Sequence, residues 1–140
     1  MKKFQIAEQC TNVAQEMKHL TPFRIKHFSF LMSKGQVISV GWNNMFKTHP
    51  LAKQYGHRFH SIHSELHCIT KCQQEIDEIK KPYMVNIRIN KYNKLRNSRP
   101  CVNCIELLCD YGVFEVVYYC VEANSWIWEN IKTHEKRLIN

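Results

Sequence analysis

Two short motifs, each at the start of a helical pattern, restrict the folds open to this chain more than any other feature. The first is H-S-E at residues 63–65, and the second is P-C-V-N-C at residues 100–104. His63, Cys101 and Cys104 together form a three-donor set for Zn²⁺, which leaves the fourth tetrahedral position open for water. A fold that uses all three donors must bring the starts of two helices to one point.

The spacing of apolar residues predicts alternating helices and strands. Helices are expected over residues 3–19, 62–79 and 100–111, with Gly112 as a C-terminal cap of the last one. Strands are expected over residues 27–33 and 36–41, which form a hairpin, and over 84–91 and 114–121. Residues 42–61 lack periodicity and predict a long loop of functional importance, and a basic loop is expected over 92–99.

The segment after Val121 decides the topology of the last strands. A parallel return to the sheet needs a crossover of about a dozen residues, usually helical. Only 19 residues remain, and residues 122–125 resemble a turn before Trp126-Ile127-Trp128. This pattern favours an antiparallel C-terminal hairpin, with a short helix over residues 125–134 as the alternative. With no internal repeat or domain boundary, residues 1–140 are expected to form a single α/β domain. Its fold is a three-layer α-β-α arrangement around a mixed central sheet of about five strands.

The charge distribution singles out one acidic residue. The chain has 20 Lys+Arg against 12 Asp+Glu, a formal net charge of +8, which favours polyanionic partners such as nucleotides or nucleic acid. Between Met17 and Gln74 the only carboxylate is Glu65. Because Glu65 lies two residues after His63, it can flank a metal without binding it and transfer protons.

Several features indicate a cytoplasmic protein without membrane contact. No run approaches the roughly 18–20 apolar residues of a membrane span, and Gln5, Glu8 and Gln9 interrupt any signal-peptide core. Without a secretory signal, the seven Cys favour metal binding or buried thiols over a disulfide framework.

The H-S-E motif precedes the P-C-V-N-C motif, and each begins a predicted helix. With its motifs in this order, the chain resembles the cytidine/deoxycytidylate deaminase superfamily, whose signature is H-x-E followed by P-C-x-x-C. The resemblance covers residues 28–119. It implies that His63, Cys101 and Cys104 bind Zn²⁺ and that Glu65 moves protons during hydrolytic deamination. It also implies a homo-oligomer.

Within the superfamily, the motifs are most similar to those of deoxycytidylate deaminases. Residues 63–69, H-S-E-L-H-C-I, resemble H-A-E-L-N-A-I, and residues 41–43 resemble a Gly-aromatic-Asn whose Asn contacts the substrate. This resemblance makes Asn43 a substrate-binding candidate. Ser64, in place of the usual Ala, is a second candidate, and His67 replaces the usual Asn. The nucleoside branch of the family has Cys at the position of His63, which argues against plain cytidine deaminase.

A dense histidine tract lies within and just after the long loop, at residues 57, 60, 63 and 67. It predicts either polar pocket lining or a second metal site, since His63 and His67 are four residues apart on one helical face. Arg58 in this tract is the first candidate for holding a 5′-phosphate. The other candidates for the phosphate are Lys47, Lys53, Arg96 and Arg99, and those for stacking on the base are Trp42 and Phe46.

These observations leave three hypotheses for function. The first is a zinc-dependent deaminase that converts a free cytosine nucleotide, most simply dCMP, to the uracil nucleotide with release of ammonia. The second keeps the chemistry but places the cytosine or adenine in single-stranded DNA or RNA, which the basic charge favours. The third is a non-catalytic nucleic-acid-binding module whose structural zinc takes His60 or His67 as its fourth ligand.

Overall fold

The computed structural model describes residues 2–57 and 61–139, which form four helices and six strands. The helices are α1 Lys3–Met17, α2 Pro50–Gln54, α3 Ser64–Thr70 and α4 Val102–Asp110. The strands are β1 Lys26–Ser33, β2 Gln36–Trp42, β3 Tyr83–Ile89, β4 Glu115–Cys120, β5 Ser125–Asn130 and β6 Glu135–Ile139. Short 3₁₀ turns cover Lys18–Leu20 and Ile76–Glu78.

All six strands belong to one mixed sheet in the order β2-β1-β3-β4-β5-β6. The pair β3 and β4 is parallel, and helix α4 supplies the crossover between them. The other four pairs are antiparallel. The predicted mixed α/β sheet is confirmed.

Side-chain alternation along the central strands divides the core into two layers. Phe28, Phe30 and Val85 face α1, whereas Leu31 and Met84 face α3 and α4. Because successive side chains of a strand point to opposite faces, each central strand buries residues against both helical layers. The predicted three-layer α-β-α arrangement is therefore confirmed.

The C-terminal prediction of an antiparallel hairpin is also confirmed. Strand β5 pairs antiparallel with β4 and with β6, so the alternative helix over residues 125–134 is wrong. Trp126 and Trp128 pack with the α1 layer, whereas Ile127 between them packs on the other face. The sheet has one strand more than expected because β6 is largely polar and exposed, and therefore lacks the apolar alternation that marks a strand.

Two other boundaries differ from the predictions. The helix expected over residues 62–79 ends at Thr70 and continues as tight turns bonded between residues three apart. Ile69, Cys72 and Ile76 still reach the core, because their spacing suits such turns as well as an α-helix. The long loop after β2 contains the short helix α2. No helix within residues 2–57 and 61–139 is long and apolar enough to cross a membrane.

Candidate active site

The starts of α3 and α4 meet at one point, as the two motifs require. His63 is the N-cap residue of α3 and Cys101 that of α4, both with extended backbone. The Nδ1 atom of His63 lies 3.6 Å from Sγ of Cys101 and 3.5 Å from Sγ of Cys104. The structure therefore brings together all three residues that the sequence singled out as metal donors.

A fourth donor, His57, joins this group. Its ring stacks on that of His63 with 4.0 Å between centroids and 11° between planes, and its Nε2 lies 3.5 Å from Sγ of Cys104. The donor atoms of all four residues lie within 4.8 Å of one another. The histidine tract was a signal for such a ligand, but nothing in the loop sequence distinguished His57 from its neighbours.

The other histidines of the tract do not join this cluster in the described residues. Nδ1 of His67 accepts a hydrogen bond from the backbone N–H of Trp42, and the two rings meet edge to face. Burial lowers the pKa of His67, and the nearby Lys71 lowers it further. His60 lies outside the described residues. The four-residue cluster is the one group of three or more potential metal donors in the parts of the chain that the structure describes.

The spacing between His63 and the two thiols fits a tetrahedral zinc ion. With Zn–N near 2.05 Å and Zn–S near 2.3 Å, a tetrahedral angle places a nitrogen and a sulfur about 3.5–3.6 Å apart. The distances from Nδ1 of His63 to the Sγ atoms of Cys101 and Cys104, 3.6 and 3.5 Å, match this edge length. Thiolate and imidazole are also the ligands that zinc prefers.

The two thiols share one site for negative charge. Their hydrogen bond lowers the pKa of Cys101 to about 2 and, together with burial, raises that of Cys104 well above its usual range. The hydrogen bond to Cys101 in turn raises the pKa of His63. Ionising both thiols therefore needs additional positive charge, which a divalent cation supplies because a coordinated thiol is deprotonated outright.

Glu65 lies beside these donors and is almost fully buried, with 3% of its surface exposed. Nδ2 of Asn86 donates to its Oε2 at 3.0 Å, and the hydroxyl of Ser64 contacts its Oε1 at 3.1 Å. The carboxylate also lies close enough to Cys104 to raise the pKa of that thiol. Asn86 is held in turn by the hydroxyl of Ser29, which donates to its Oδ1, and by Ser98, whose carbonyl accepts from its Nδ2 and whose hydroxyl donates to its backbone carbonyl. Sequence analysis missed Ser29 and Asn86, because the alternation of apolar and polar residues in a strand predicts a polar face but does not identify the residues that this face contacts.

The hydroxyl network around Glu65 suits a carboxyl group that gains and loses a proton. Three oxygen–oxygen contacts link Asn86, Ser29, Ser64 and Glu65 in series, with distances of 2.7, 2.8 and 3.1 Å. The two hydroxyls supply one hydrogen each, which leaves one contact without a hydrogen while Glu65 is ionised. A proton on Glu65 supplies the third hydrogen, so the network accommodates both states of the carboxyl group.

The two substrate-binding candidates in the described residues make internal hydrogen bonds. Oδ1 of Asn43 accepts from Thr21 and from the backbone of His27, and its Nδ2 donates to the carbonyl of Ile25. Asn43 therefore orders the loop between α1 and β1, while Ser64 contacts Ser29 and Glu65. Their contact with substrate stays a prediction.

The cations considered for phosphate binding separate into distinct environments. Arg58 lies outside the described residues, and Arg99 makes two hydrogen bonds to Glu129. Arg96, in contrast, lines a cavity of about 390 Å³ at the start of β1 and the end of β3, together with Arg24, Arg88, Lys91 and Tyr92. No carboxylate in residues 2–57 and 61–139 pairs with these four cations.

Strand β3 connects this basic cavity to the Glu65 network, because it carries both Arg88 and Asn86. Asn86 and Arg88 are two residues apart on one face of β3, about 6.6 Å along the strand, and Arg88 pairs with His27 across the sheet. Burial lowers the pKa of His27, which also senses the charges of Glu65 and Arg88. Of the stacking candidates, Trp42 lies under Lys71 and against His67, whereas Phe46 is 82% exposed.

Fold and site together define an α/β protein with a zinc site at the starts of two helices. The family model for the cytidine and deoxycytidylate deaminase zinc-binding region matches residues 3–120. The chain is similar to the dCMP deaminase of cyanophage S-TIM5 in its apo form, at 16% identity over 80% of each chain with a TM-score of 0.52. Against the same enzyme in complex with dCMP and dUMP, identity is 16% over 80% of this chain and 79% of that one, with a TM-score of 0.56. No curated protein sequence matches significantly.

The chain therefore belongs to the cytidine and deoxycytidylate deaminase family. Its His-His-Cys-Cys cluster fits the zinc ion that the family binds. The likeness to the solved structures supports the three-layer fold.

Proposed function

We propose that this protein is a zinc-dependent hydrolytic deaminase of a cytosine nucleotide, most simply dCMP. One observation carries the proposal: the carboxyl group of Glu65 is buried next to the metal donors and held by Asn86 and Ser64. A buried acidic group costs stability unless it is paired or neutralised. A role in proton transfer explains why this carboxyl lies there, whereas a purely structural zinc site does not need it.

The reaction consumes water and releases ammonia. His63, Cys101 and Cys104 would hold the zinc ion, which would lower the pKa of a bound water molecule to about 7. Glu65 accepts the proton of that water and donates it to the ring nitrogen next to the amino-bearing carbon. The new carbon–oxygen bond forms at the amino-bearing carbon. Glu65 then takes the second proton from the added hydroxyl group and passes it to the amino group, so that the carbon–nitrogen bond breaks to give the uracil nucleotide and ammonia.

The basic cavity supports a substrate with a phosphate. Arg24, Arg88 and Arg96 line it without carboxylate partners in the described residues. Arg88 lies two residues along β3 from Asn86, which holds Glu65. Guanidinium groups suit phosphate because they form paired hydrogen bonds with it. A base at Glu65 and a phosphate at Arg88 would place the sugar beside His27.

The proposal is tested by mass-spectrometric detection of deamination over one panel. The panel contains cytidine, deoxycytidine, their mono- and triphosphates, adenosine analogues, and single-stranded DNA and RNA oligonucleotides. We expect conversion of dCMP above all other compounds, with one ammonia released per uracil formed. Conversion of oligonucleotides alone, falling steeply with ionic strength, would instead establish a nucleic-acid substrate.

A substitution in the basic cavity tests the phosphate assignment separately. Arg88→Gln is expected to raise KM for dCMP about tenfold, the loss of one charge-assisted hydrogen bond, and to leave deoxycytidine turnover unchanged. Lys132→Gln removes an equal charge from the turn between β5 and β6 and should change neither substrate. Equal losses for dCMP and deoxycytidine in Arg88→Gln would contradict the assignment.

A non-catalytic module with a structural zinc is the second candidate, and the position of His57 favours it. Four protein ligands are typical of structural zinc, whereas catalytic sites keep an open position. Zinc-loaded protein that converts nothing in the panel would support this second candidate. The homo-oligomer that the family resemblance implies stays a prediction for analytical ultracentrifugation.

A further inference from the structure

We propose that Asn86 is a positioning residue for the reaction. It joins Glu65, in the first turn of α3, to the loop that leads into Cys101, so that one side chain fixes the carboxyl group relative to the metal donors. The inference rests on the proposed function, because the exact place of Glu65 matters only if this carboxyl group transfers protons.

The side-chain amide of Asn86 donates to two different parts of the site. Its Nδ2 donates to Oε2 of Glu65 at 3.0 Å and to the backbone carbonyl of Ser98 at 3.2 Å. Ser98 lies three residues before Cys101, in the loop between β3 and α4. Since Glu65 belongs to α3 and Cys101 is the N-cap residue of α4, this amide connects the two helix starts that carry the site.

The position of Ser98 is fixed by the sheet. Its hydroxyl donates to the backbone carbonyl of Asn86 at 2.8 Å and accepts from the backbone N–H of Tyr119 at 2.9 Å. Its own backbone N–H donates to the carbonyl of Tyr119 at 3.2 Å. These bonds attach the loop to β3 and β4, the parallel pair at the centre of the sheet. Through Asn86, Glu65 is therefore held against the centre of the sheet.

Ser29 fixes the direction in which this amide points. The carboxylate of Glu65 and the carbonyl of Ser98 only accept hydrogen bonds, so the NH₂ end of Asn86 must face them and its Oδ1 must face away. On that side the hydroxyl of Ser29 donates to Oδ1 at 2.7 Å. Because Ser29, Asn86 and Ser98 are all buried, solvent does not compete for these bonds. Ser29 is thus a second positioning residue, which acts through Asn86.

The kinetics of dCMP turnover by the zinc-loaded protein test the proposal, because a positioning residue changes kcat rather than KM. Asn86→Ala leaves a polar space that water can fill, so the carboxyl group of Glu65 stays hydrogen-bonded but is no longer held in place. We expect kcat to fall about 10²-fold, with KM within about twofold of the wild-type value. Zinc content, measured by elemental mass spectrometry, should stay unchanged.

Ser29→Ala removes only the hydroxyl that orients the amide, and kcat should fall about tenfold. Ser39→Ala is the matched control, because Ser39 is a buried serine of β2 whose hydroxyl donates to the carbonyl of Cys68. It should lose similar stability and keep the wild-type kcat. Combining Ser29→Ala with Asn86→Ala should give a protein no slower than Asn86→Ala alone, since one residue acts through the other. Equal losses of kcat in Ser29→Ala and Ser39→Ala, or losses that multiply in the double variant, would overturn the role of Ser29.

Failures of this inference and of the proposed function are distinguishable. Wild-type kcat in Asn86→Ala overturns the inference and leaves the deaminase standing. If the wild type converts nothing in the panel, the deaminase is overturned, and urea unfolding of the zinc-loaded protein tests the contact itself. The losses of unfolding midpoint in Asn86→Ala and Glu65→Ala should then be less than additive in the double variant. Additive losses would overturn the coupling of Asn86 to Glu65 as well. Circular dichroism confirms that each variant is folded.

Discussion

The two helices that carry the zinc donors are supported in different ways. Helix α3 packs directly on β1 and β2, and it approaches so closely that a Cβ at Gly41 would overlap the backbone of Ser64 and Cys68. The loop that leads into α4 is instead held by an ion pair, in which Arg99 donates two 2.9 Å hydrogen bonds to Glu129 of β5. One ligand segment is positioned by close packing, and the other by a buried charge.

The residues that support the two helices also differ in their position relative to the part of the chain that the family model matches. Gly41 and the Asn86 that holds Glu65 both lie within residues 3–120, which the family model matches. Glu129 lies beyond them, in the C-terminal hairpin. The contacts that support His63 and Glu65 thus lie within the matched residues, whereas the support of Cys101 includes Glu129 outside them.

The first prediction removes the chemistry of α3 without touching its packing. Glu65→Gln keeps the side-chain shape but has no carboxylate to accept a proton, so we expect dCMP turnover to fall about 10³-fold or more. Zinc content, measured by elemental mass spectrometry, should stay at the wild-type level. Glu75→Gln, an exposed carboxylate beyond α3, serves as the control. Undiminished turnover in Glu65→Gln would falsify the proton-transfer role.

The second prediction breaks the packing of α3. In Gly41→Ala the new methyl group meets backbone atoms that cannot rotate away, so α3 must shift and the free energy of unfolding should fall by about 3 kcal/mol. Because His63 moves with the helix, zinc affinity should fall as well. Gly112→Ala adds a methyl group in open space, and its positive φ should cost about 1 kcal/mol in urea unfolding. Equal losses of unfolding free energy in the two variants would contradict the role of the close approach between α3 and Gly41.

Sequence analysis identified residues that the structure brings together wherever the residue types themselves restrict the chemistry. His63, Cys101 and Cys104 were singled out because zinc accepts few kinds of ligand and because helix starts are marked in the sequence; that they bind zinc stays a prediction. The helices α1 and α4 and the hairpin β1–β2 followed from apolar periodicity, since burial on one face leaves a local pattern.

Features that depend on contacts between distant segments could not be predicted. His57 lies in a loop without periodicity, so its approach to Cys104 is a consequence of how α2 packs against α4. The pair of Arg99 and Glu129 joins residues thirty apart in sequence, and each alone resembles an ordinary surface charge. Local pattern predicts which residues are buried but does not identify their partners.

The third prediction breaks the support of α4. Burial raises the pKa of Glu129, but the hydrogen bonds from Arg99 and Tyr118 outweigh it, and the net pKa is below its usual value. Arg99→Met leaves this fully buried carboxylate with Tyr118 and a distant Lys136. We expect the free energy of unfolding to fall by about 2 kcal/mol, below the full cost of breaking a buried pair because Arg99 is partly exposed.

Zinc affinity shows whether Arg99 positions the thiol of Cys101, two residues further along the chain, or only stabilises the fold. Arg99→Met should weaken zinc affinity several-fold even at temperatures where the fold is intact. Arg96→Met, which removes an exposed arginine without a carboxylate partner in the described residues, should leave both quantities unchanged. Wild-type zinc affinity in folded Arg99→Met would show that the hairpin stabilises the domain without positioning the thiol.

The smallest effect concerns pH and the outer face of α3, where His67 accepts the hydrogen bond from Trp42. Burial lowers the pKa of His67 below its unfolded value of about 6.5. Between these two pKa values the unfolded chain binds more protons, so the stability that His67 contributes decreases as the pH falls below about 6.5.

His67→Asn keeps a hydrogen-bond acceptor for Trp42 but does not titrate. Its melting temperature should therefore fall less than that of the wild type between pH 7.5 and 5.5, whereas His134→Asn, in the exposed turn before β6, should follow the wild type. If the melting temperatures of all three proteins fell in parallel with pH, His67 would change its protonation equally in the folded and unfolded states. The contact between α3 and β2 would then depend on packing alone.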